Sequence, residues 1–462
     1  MQNLFYRWLL LIGLGHVALG VVLAFTAQLP IAMPYFQYLY ASVGAGQAAS
    51  PEQHSVVTTL VRLFGPTVAS WGLLFSLLVH LYRQHGHALI KPTLFAALLV
   101  WCLLDSGIST YYGILAHAYL NMAAALAIAV PLYFLVPLQS ADDHAHALRY
   151  ANGKSLKILM TGGTGFIGQP LAMALSLAGH EVLILTRRIA PAADAFSGRI
   201  AFITDLQLIR SDERIDGIIN LAGEPLAKGR WTPARKAIFL QSRLQVTDAL
   251  LQLVKRLQHK PELLLNASAV GYYGHQQDGL LDEHAAAIDC FSHQLCSQWE
   301  KRALTFEQRG LRVCLLRIGI VLGNNGGPLQ ELRRSFELGV ATQLGSGRQW
   351  LPWIHLHDVL DICAFLLSKP ELQGAVNVTA PEPVTQAEFA TTLARQLGNT
   401  PFRIKVPARL LRLLMGEMAD EILLSGQRVV PRKLLEHGYT FAHSTLPAAL
   451  ADLICVSRQR TN

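Results

Sequence analysis

The most constraining feature of this sequence is a set of four apolar stretches near its beginning. They run approximately over residues 8–29, 63–81, 93–112 and 116–138. A helix needs about 20 residues to cross the hydrocarbon core of a bilayer. The membrane interior offers the backbone no water, so a single spanning segment of this kind has to be helical. We therefore predict four transmembrane helices within residues 1–140, with the first one retained rather than cleaved as a signal peptide.

The charged residues follow the same division. Residues 1–140 contain four Lys or Arg and two acidic residues, whereas the rest of the chain holds 35 and 29. If four helices thread alternately, the positive charges nearest the spans fall five to one on one side: Arg7, Arg83, Lys91, Arg149 and Lys154 against Arg62. The positive-inside rule then predicts a multi-pass protein of the inner (cytoplasmic) membrane, with both termini and the following domain in the cytoplasm.

Composition also excludes several functions. The net charge is +8, but the sequence has no dense run of Lys or Arg, so a nucleic-acid partner is not predicted. The six cysteines include no CxxC pair and lie scattered in apolar stretches. This pattern predicts buried, reduced thiols rather than disulfides, and no metal site.

Four ionisable residues lie in or beside the apolar stretches: His16, His80, Asp105 and His117. An ionisable group within a membrane is a candidate for function. The alternative is that Asp105 pairs with a neighbouring helix and that the histidines lie at interfaces. The region is loosely similar to DoxX-like four-helix membrane modules, which leaves open a transport or quinone-linked role regulated by the domain that follows.

After a polar linker at 141–154, the hydrophobic pattern changes. A short apolar strand at 157–160 is followed by the sequence TGGTGFIG at 161–168, a helical pattern to Gly179 and a second strand at 181–186. Further strands and helices alternate to about residue 398, and a small module follows at 399–450. Alternating strands and helices predict an α/β fold, a Rossmann-type doubly wound parallel sheet over 155–398.

The glycine-rich turn predicts a dinucleotide site. Gly162 permits the tight turn, Gly165 lets the backbone approach a pyrophosphate, and Gly168 lets the helix pack on the strand. The N-terminus of the helix supplies free N–H groups to the phosphates. A later strand over residues 216–223 is expected to end beside the same ligand. The predicted cofactor-binding residues are therefore Gly162, Thr164, Gly165, Phe166, Ile167, Gly168, Leu221, Ala222 and Gly223, with two arginines described next.

The end of the second strand indicates which dinucleotide binds. NAD-specific sites usually carry an acidic residue there, which holds the ribose hydroxyls. This chain has Arg187 and Arg188 instead. A guanidinium suits a 2′-phosphate by charge and by its forked donors, so NADP(H) is favoured over NAD(H).

Several motifs in the same order resemble one family. They are TGGTGFIG at 161–168, NLAGEP at 220–225, SAVGYYG at 268–274, RIGIVLG at 317–323 and GSGRQWLPWIHLHDV at 345–359. Residues 155–395 resemble the extended and atypical short-chain dehydrogenases/reductases, specifically the epimerase-family, sugar-nucleotide-epimerase-like proteins. Residues from Pro401 to about Leu450 resemble the domain of unknown function that closes them. The resemblance implies an NADP(H)-dependent oxidoreductase or epimerase acting on a small molecule, either nucleotide-linked or lipid-like.

The resemblance also implies a catalytic serine and a Tyr-x-x-x-Lys pair. Ser268 matches the serine, but the helix expected near residue 290 contains neither tyrosine nor lysine in CFSHQLC. Tyr272 and Tyr273 remain candidate proton donors, with packing in the pocket wall as their alternative. His293 and His355 are further candidates, and Asp358 is predicted to cap a helix. Arginines that could bind an anionic substrate are Arg317, Arg333, Arg334 and Arg348.

The missing pair leaves a second function open. A chain with the cofactor turn but without the Tyr–Lys dyad is also consistent with a non-catalytic NADP(H)-binding sensor or scaffold. Membrane lipid is the remaining expected partner, and the sequence does not predict an oligomeric state.

Overall fold

The computed structural model describes residues 2–26, 29, 33–42, 50–85, 89–135, 146–150, 153–187, 199–227, 229–276, 278–324, 326–330, 336, 340–397 and 402–459. The chain divides into two compact units, Met1–Ser140 and Ala141–Gln459.

The first unit is helical throughout its described elements. These are α1 Gln2–Thr26, α2 Met33–Ser42, α3 Pro51–His85, α4 Ile90–Tyr111 and α5 Leu115–Phe134. Four segments are long and apolar enough to cross a membrane: Leu4–Thr26, Pro51–Arg83, Ile90–Tyr111 and Leu115–Phe134. The helix α3 is longer than the predicted span at 63–81, because an apolar run marks only the part of a helix that lipid would cover. The helix α2 was not predicted.

Small residues bring α1 and α3 together. A Cβ added to Gly20 would lie 2.4 Å from the Gly65 carbonyl oxygen, and one added to Gly72 would lie 2.5 Å from that of Gly13. Close approach at small residues is how membrane helices gain packing contacts. On the neighbouring pair, Asn121 of α5 donates to the Asp105 carboxylate of α4 at 2.7 Å, so the predicted pairing of Asp105 with an adjacent helix is confirmed.

The second unit contains fifteen described strands and eight described helices. The strands are β1 Lys157–Thr161, β2 Glu181–Leu185, β3 Ile200–Ile203, β4 Gly217–Asn220, β5 Leu263–Ala269, β6 Leu280–Leu281, β7 Arg312–Ile318, β8 Ile320–Leu322, β9 Val340–Leu344, β10 Trp350–Leu351, β11 Trp353–His355, β12 Gly374–Val378, β13 Val384–Thr385, β14 Phe402–Val406 and β15 Arg428–Val429. The helices are α6 Gly168–Leu177, α7 Pro233–Arg256, α8 Phe291–Leu304, α9 Leu356–Ser368, α10 Gln386–Gln396, α11 Ala408–Met415, α12 Arg432–Glu436 and α13 Leu446–Gln459.

Seven of these strands form one parallel sheet in the order β12-β7-β5-β4-β1-β2-β3. Its strands are apolar along their whole length because both faces are covered. Ile158 and Met160 of β1 point into one core, and Leu159 between them points into the core on the other face. The predicted Rossmann-type parallel sheet, preceded by four helices of spanning length, is confirmed.

The strand order places the chemistry at one edge. β1 and β4 lie side by side at the centre, where the order reverses direction, and β5 follows β4. In open α/β sheets ligands bind beyond the carboxyl ends of strands at such a reversal. The segments after β1, β4 and β5 therefore form the expected site.

Residues 146–150, which the sequence predicted to be part of a linker, belong to the second unit and pack on its core. Arg149 donates from Nε to Asp361 at 2.5 Å and from its backbone N–H to the same carboxylate at 3.0 Å. The ring of Tyr150 packs against Phe365 and Tyr439.

Candidate active site

The turn between β1 and α6 has a backbone that tolerates only glycine at two positions. Gly162 has a φ of +70°, and a Cβ there would lie 2.7 Å from the carbonyl of Leu221. A Cβ on Gly168 would lie 2.1 Å from the Gly162 carbonyl oxygen. These contacts fold the turn tightly onto the ends of both β1 and β4.

The same turn offers unpaired donors. The backbone N–H groups of Phe166, Ile167 and Gly168 have no acceptor among the described residues, and α6 starts directly behind them. Thr164 and Gly165 are exposed in front of them. A helix N-terminus with free N–H groups and an open backbone fits a phosphate group.

Two of the predicted cofactor residues direct their side chains elsewhere. The ring of Phe166 packs against the glycines of the loop after β8, where a Cβ on Gly326 or Gly327 would approach it to 2.8 Å. Ile167 packs against the core on one face of the sheet. Either residue would therefore meet a ligand through its backbone.

A buried network of polar side chains joins the ends of β1 and β4 to the middle of β5. Thr161 donates to Asn220 at 2.6 Å, and Asn220 donates to Asn266 at 2.6 Å and to Thr247 at 3.1 Å. Buried amides that are hydrogen-bonded in this way hold one geometry. The network positions the loop Leu221–Gly223 beside the glycine turn.

Arg243 of α7 lies under this loop and was not predicted. A Cβ on Gly223 would lie 2.9 Å from its guanidinium carbon. The guanidinium donates to the carbonyl oxygens of Phe239 and Glu224, and burial lowers its pKa. No sequence pattern marks Arg243, because it lies on a helix among ordinary polar residues and only the fold brings it to the loop.

Arg187 lies two residues after the end of β2, and its side chain is exposed. The register pairs Leu185 of β2 with Thr161 of β1, so Arg187 and the glycine turn lie at the same edge of the sheet. Arg188 lies outside the described residues.

Ser268, at the end of β5, is buried and already hydrogen-bonded. Its hydroxyl donates to Glu300 of α8 at 2.6 Å. Glu300 accepts two further bonds, each 3.0 Å long, from Nε and Nη2 of Arg317. Burial opposes the charge on Arg317, but the bonds to Glu300 and the proximity of Tyr273 raise its pKa. Arg317 was a candidate for binding an anionic substrate. This prediction is wrong because Nε and Nη2 of its guanidinium both donate to Glu300.

Tyr273 belongs to the same buried network. Its side chain is fully buried, and its hydroxyl donates to Asn377 at 2.7 Å and accepts from Arg317 at 3.0 Å. Burial raises the pKa of Tyr273 to about 12, although Arg317 acts in the opposite direction. The surroundings of this phenol favour packing and alignment over proton exchange.

Tyr272 has different surroundings. Its ring lies over the Arg317 guanidinium, 3.4 Å from the ring centroid to Cζ, and its hydroxyl has no partner among the described residues. Nδ1 of His293 approaches the Tyr272 carbonyl oxygen to 2.5 Å. A carbonyl can only accept, so Nδ1 carries the proton and Nε2 is left with a free lone pair. The two rings meet edge to face at 5.1 Å.

The helix α8 stands where the Tyr–Lys dyad was expected. The residues that face the strand end are Ser292 and Cys296, four positions apart, because a Cβ on Gly271 would lie 3.1 Å from Ser292 and 4.0 Å from the Cys296 sulfur. Burial raises the pKa of Cys296 to about 12, so it remains a thiol. Where a Tyr and a Lys four positions apart were expected to face the site, α8 thus has the hydroxyl of Ser292 and the neutral thiol of Cys296.

Glu421, from the C-terminal part of the chain, caps this helix. Its carboxylate accepts from the backbone N–H groups of Phe291 and Ser292 and from the Ser292 hydroxyl at 2.5 Å. Burial acts against the charge, but the bonds from Ser292 and the nearby His275 lower the Glu421 pKa overall. Sequence patterns do not predict this contact, because the two segments are separated by about 130 residues.

Two other predicted positions differ from expectation. The helix α9 is capped by His355, whose Nδ1 accepts from the His357 N–H at 3.1 Å, so the prediction that Asp358 caps it is wrong. Asp358 instead accepts from the N–H groups of Ala442 and His443. Arg348 is exposed, and Arg333 and Arg334 lie outside the described residues.

The parallel sheet, the glycine turn and the free N–H groups at α6 define a Rossmann protein with a site for a dinucleotide. Comparison with known proteins identifies the family. Residues 158–379 match the model of the NAD dependent epimerase/dehydratase family, and residues 406–453 match a domain of unknown function, DUF1731. An epimerase family protein of Mycobacterium bovis is 38% identical over 300 residues, which are 63% of this chain and 96% of that protein. The chain belongs to this epimerase family.

Solved structures agree with this assignment. A human epimerase family protein, crystallised with NADPH, is 29% identical with a TM-score of 0.57, covering 64% of this chain and 99% of its own. A nucleoside-diphosphate sugar epimerase from Corynebacterium glutamicum is 26% identical with a TM-score of 0.53, covering 72% of this chain and 64% of its own. A nicotinamide dinucleotide is thereby supported as the cofactor.

Proposed function

We propose that this protein is a membrane-anchored, NADP(H)-dependent oxidoreductase or epimerase acting on a small molecule that is nucleotide-linked or lipid-like. The observation that carries the proposal is the turn after β1, where three N–H groups in front of α6 have no acceptor among the described residues and Arg187 lies at the same sheet edge. The relative solved with NADPH and the relative named as a sugar-nucleotide epimerase support both the cofactor and the substrate class.

The backbone from Gly162 to Gly168 would hold the pyrophosphate, and Arg187 would face a 2′-phosphate. Leu221–Gly223, held by the asparagine network, would line the other side of the dinucleotide. The bound cofactor supplies or accepts a hydride. The chain itself has to supply the accompanying proton transfer and hold the substrate oxygen.

Tyr272 is the group best placed for that proton. Its hydroxyl is free of hydrogen bonds among the described residues, whereas those of Ser268 and Tyr273 are engaged in the buried network. The Arg317 guanidinium supports the ring from below, and Arg317 itself is fixed by Glu300. His293, with a free Nε2 beside the ring, would accept a proton from the site and pass it to solvent.

The experiment uses the purified full-length protein in detergent. Carbonyl and alcohol libraries that include nucleoside-diphosphate sugars and long-chain lipid-like compounds are screened with NADPH and NADP⁺. NADPH absorbance reports net oxidation or reduction, and product analysis by NMR reports epimerisation. Tyr272→Phe should lower kcat by about 10²–10⁴-fold while NADPH affinity is retained, in the range expected for loss of a general acid–base group.

Tyr273→Phe is the matched control. It removes a phenol from the adjacent position, so it should lower thermal stability more than turnover. If Tyr273→Phe abolished turnover and Tyr272→Phe did not, the assignment of the proton donor would be wrong. If no substrate in the library changed in the presence of bound NADPH, the catalytic proposal would lose its support.

A non-catalytic, NADP(H)-binding role is the second candidate. It is favoured by the engagement of the Ser268 hydroxyl with Glu300 and by Ser292 and Cys296 at the positions expected for the dyad. In that case Tyr272→Phe would leave cellular function unchanged, whereas Gly165→Asp, which places a carboxylate where phosphate would bind, would abolish it.

The anchoring role rests on the four segments of spanning length and on the bias of positive charge. We propose that both chain ends face the cytoplasm. Reporter fusions test this directly: a fluorescent protein fused after residue 143 should fluoresce, and alkaline phosphatase fused there should be inactive. The reverse activities would place the Rossmann unit on the other side.

A further inference from the structure

Away from the active site, the fold collects a group of histidines that the proposed function does not use. His355 and His357 lie at the start of α9, His443 lies in the loop before α13, and Asp452 lies on α13. We refer to His355, His357, His443 and Asp452 as the histidine cluster. The rings of His355 and His443 stack at 3.8 Å, and those of His355 and His357 meet at 4.8 Å.

The ligand-type atoms of three members converge. One side-chain atom each of His355, His357 and Asp452 lies within 4.8 Å of the other two. His355 Nε2 and Asp452 Oδ2 are 3.3 Å apart. Two ligands about 2.0–2.1 Å from a tetrahedral zinc ion are separated by about 3.3–3.4 Å, so this pair already has the spacing of two ligands of one ion.

One buried nitrogen of the cluster has no hydrogen bond of good geometry among the described residues. His355 is fully buried, and its Nε2 lies 3.3 Å from Asp452 Oδ2. Nearly all buried polar atoms in proteins are hydrogen-bonded, and an ion between this nitrogen and the carboxylate would satisfy both.

One hydrogen bond opposes this arrangement. Because Nδ1 of His355 accepts from the His357 N–H, the ring proton of the metal-free form lies on Nε2. Coordination through Nε2 requires that proton to move to Nδ1, and α9 then loses this capping bond. A bound ion would have to offset the loss of this capping bond.

A carboxylate also lies behind the cluster. Asp358 is buried, and its Oδ2 is 3.5 Å from Nδ1 of His443. A carboxylate behind an imidazole orients the ring and leaves Nε2 directed away from it, towards Asp452 at 4.0 Å. Carboxylate–histidine pairs of this type support the ligands of metal sites.

We propose that His355, His357 and Asp452 bind one divalent transition-metal ion of the zinc type, with His443 beside them as a fourth group. Two nitrogens and one carboxylate oxygen suit Zn²⁺ or Co²⁺ better than Mg²⁺ or Ca²⁺, which prefer sites made of oxygen. The ion joins α9, which packs on the Rossmann sheet, to α13 at the end of the chain. Its role is to fasten the C-terminal module to the sheet.

A second group of three potential ligands serves as a comparison. His275, Cys290 and Glu421 also lie close together. Both carboxylate oxygens of Glu421, however, already accept hydrogen bonds at the start of α8. In the histidine cluster, Nε2 of His355 has no hydrogen bond to any of the described residues, so we place the ion there.

The test uses untagged full-length protein in detergent, stripped of metal with a chelator. Zn²⁺ affinity is measured by competition with a chromophoric chelator, and Co²⁺ binding by its visible absorption. The wild type should bind one ion per chain with the intense Co²⁺ bands of a four-coordinate site. His357→Ala and Asp452→Asn should each weaken binding at least 10-fold. His275→Ala and the exposed His437→Ala should change it less than about 2-fold.

Stability provides a second readout. Zn²⁺ should raise the Tm of the wild type and of His275→Ala, because the ion binds only the folded chain, and it should not raise that of His357→Ala. Asp452 is partly exposed, so Asp452→Asn tests the site even if His357→Ala does not fold. The proposal is overturned if wild type and Asp452→Asn bind Zn²⁺ equally, or if binding is lost in His275→Ala instead.

Discussion

The glycine turn after β1 and the segment after β5 lie at the same edge of one sheet, yet they are built in different ways. The turn is made by backbone: its donors are N–H groups, and its shape follows from the lack of a Cβ at Gly162 and Gly168. The segment after β5 is made by side chains from distant elements, with Glu300, Arg317 and Asn377 surrounding Ser268 and Tyr273. A site made by the backbone tolerates few substitutions. A site made by side chains can lose its Tyr–Lys dyad while the fold is retained.

The largest effect on stability should come from breaking the Arg317–Glu300 pair of the segment after β5, the side-chain site. Arg317→Leu leaves Glu300 buried without its partner, and it should lower the free energy of unfolding by about 3–5 kcal/mol. Denaturant unfolding of the full-length protein measures this. Replacing Glu300 with Leu in the same chain should restore much of the loss, since no charge is then left unpaired. A single variant as stable as the wild type would show that the pair is not buried as described.

The next largest effect is expected on NADPH affinity, from a substitution in the glycine turn after β1. Gly168→Ala puts a Cβ 2.1 Å from the Gly162 carbonyl oxygen, so the start of α6 has to shift. We expect NADPH affinity to fall about 100-fold, which corresponds to about 2.7 kcal/mol. Gly279→Ala, where a Cβ meets nothing within 4 Å, is the control in the same calorimetric titration. Equal affinities for the two variants would contradict the packing of the turn.

A smaller effect is expected where the C-terminal module meets the side-chain site. The Glu421 pKa is lowered in the folded state, so its carboxylate stabilises the protein above its unfolded pKa of about 4.3 and this contribution is lost as pH falls through the folded value. Glu421→Gln should therefore lower stability at pH 7 by about 1 kcal/mol, as loss of a helix cap does. The difference from wild type should disappear in acid. A difference that grows as pH falls would contradict this sign.

The smallest effect is expected in the first unit. Asp105 accepts from Asn121, and His117 lies 4.0 Å away. If these helices serve only as an anchor, Asp105→Asn should leave cellular function and membrane level within about 2-fold of wild type, because an amide can still pair with Asn121. Loss of function at a normal protein level would instead favour a transport or quinone-linked role.

The sequence predicted those parts of the fold that depend on local pattern. The parallel sheet and a strand within 216–223, observed at Gly217–Asn220, follow from the spacing of apolar residues and from glycine. The length of α3 did not follow, because helix extends beyond the apolar run into polar residues. In the side-chain site, the cap from Glu421 and the nearby Arg243 could not be predicted, since each depends on tertiary contacts. Cysteine spacing does not indicate the histidine cluster, whose members are separated by up to 97 positions in the sequence.

The most direct test of the proposed function is a parallel titration of NADPH and NADH into the full-length protein and its Arg187→Ala variant. We expect the wild type to bind NADPH at least 10-fold more tightly than NADH, and the variant to lose most of this preference, because the arginine would contact only the 2′-phosphate. Equal affinity for the two dinucleotides in the wild type, or no binding of either, would contradict the account.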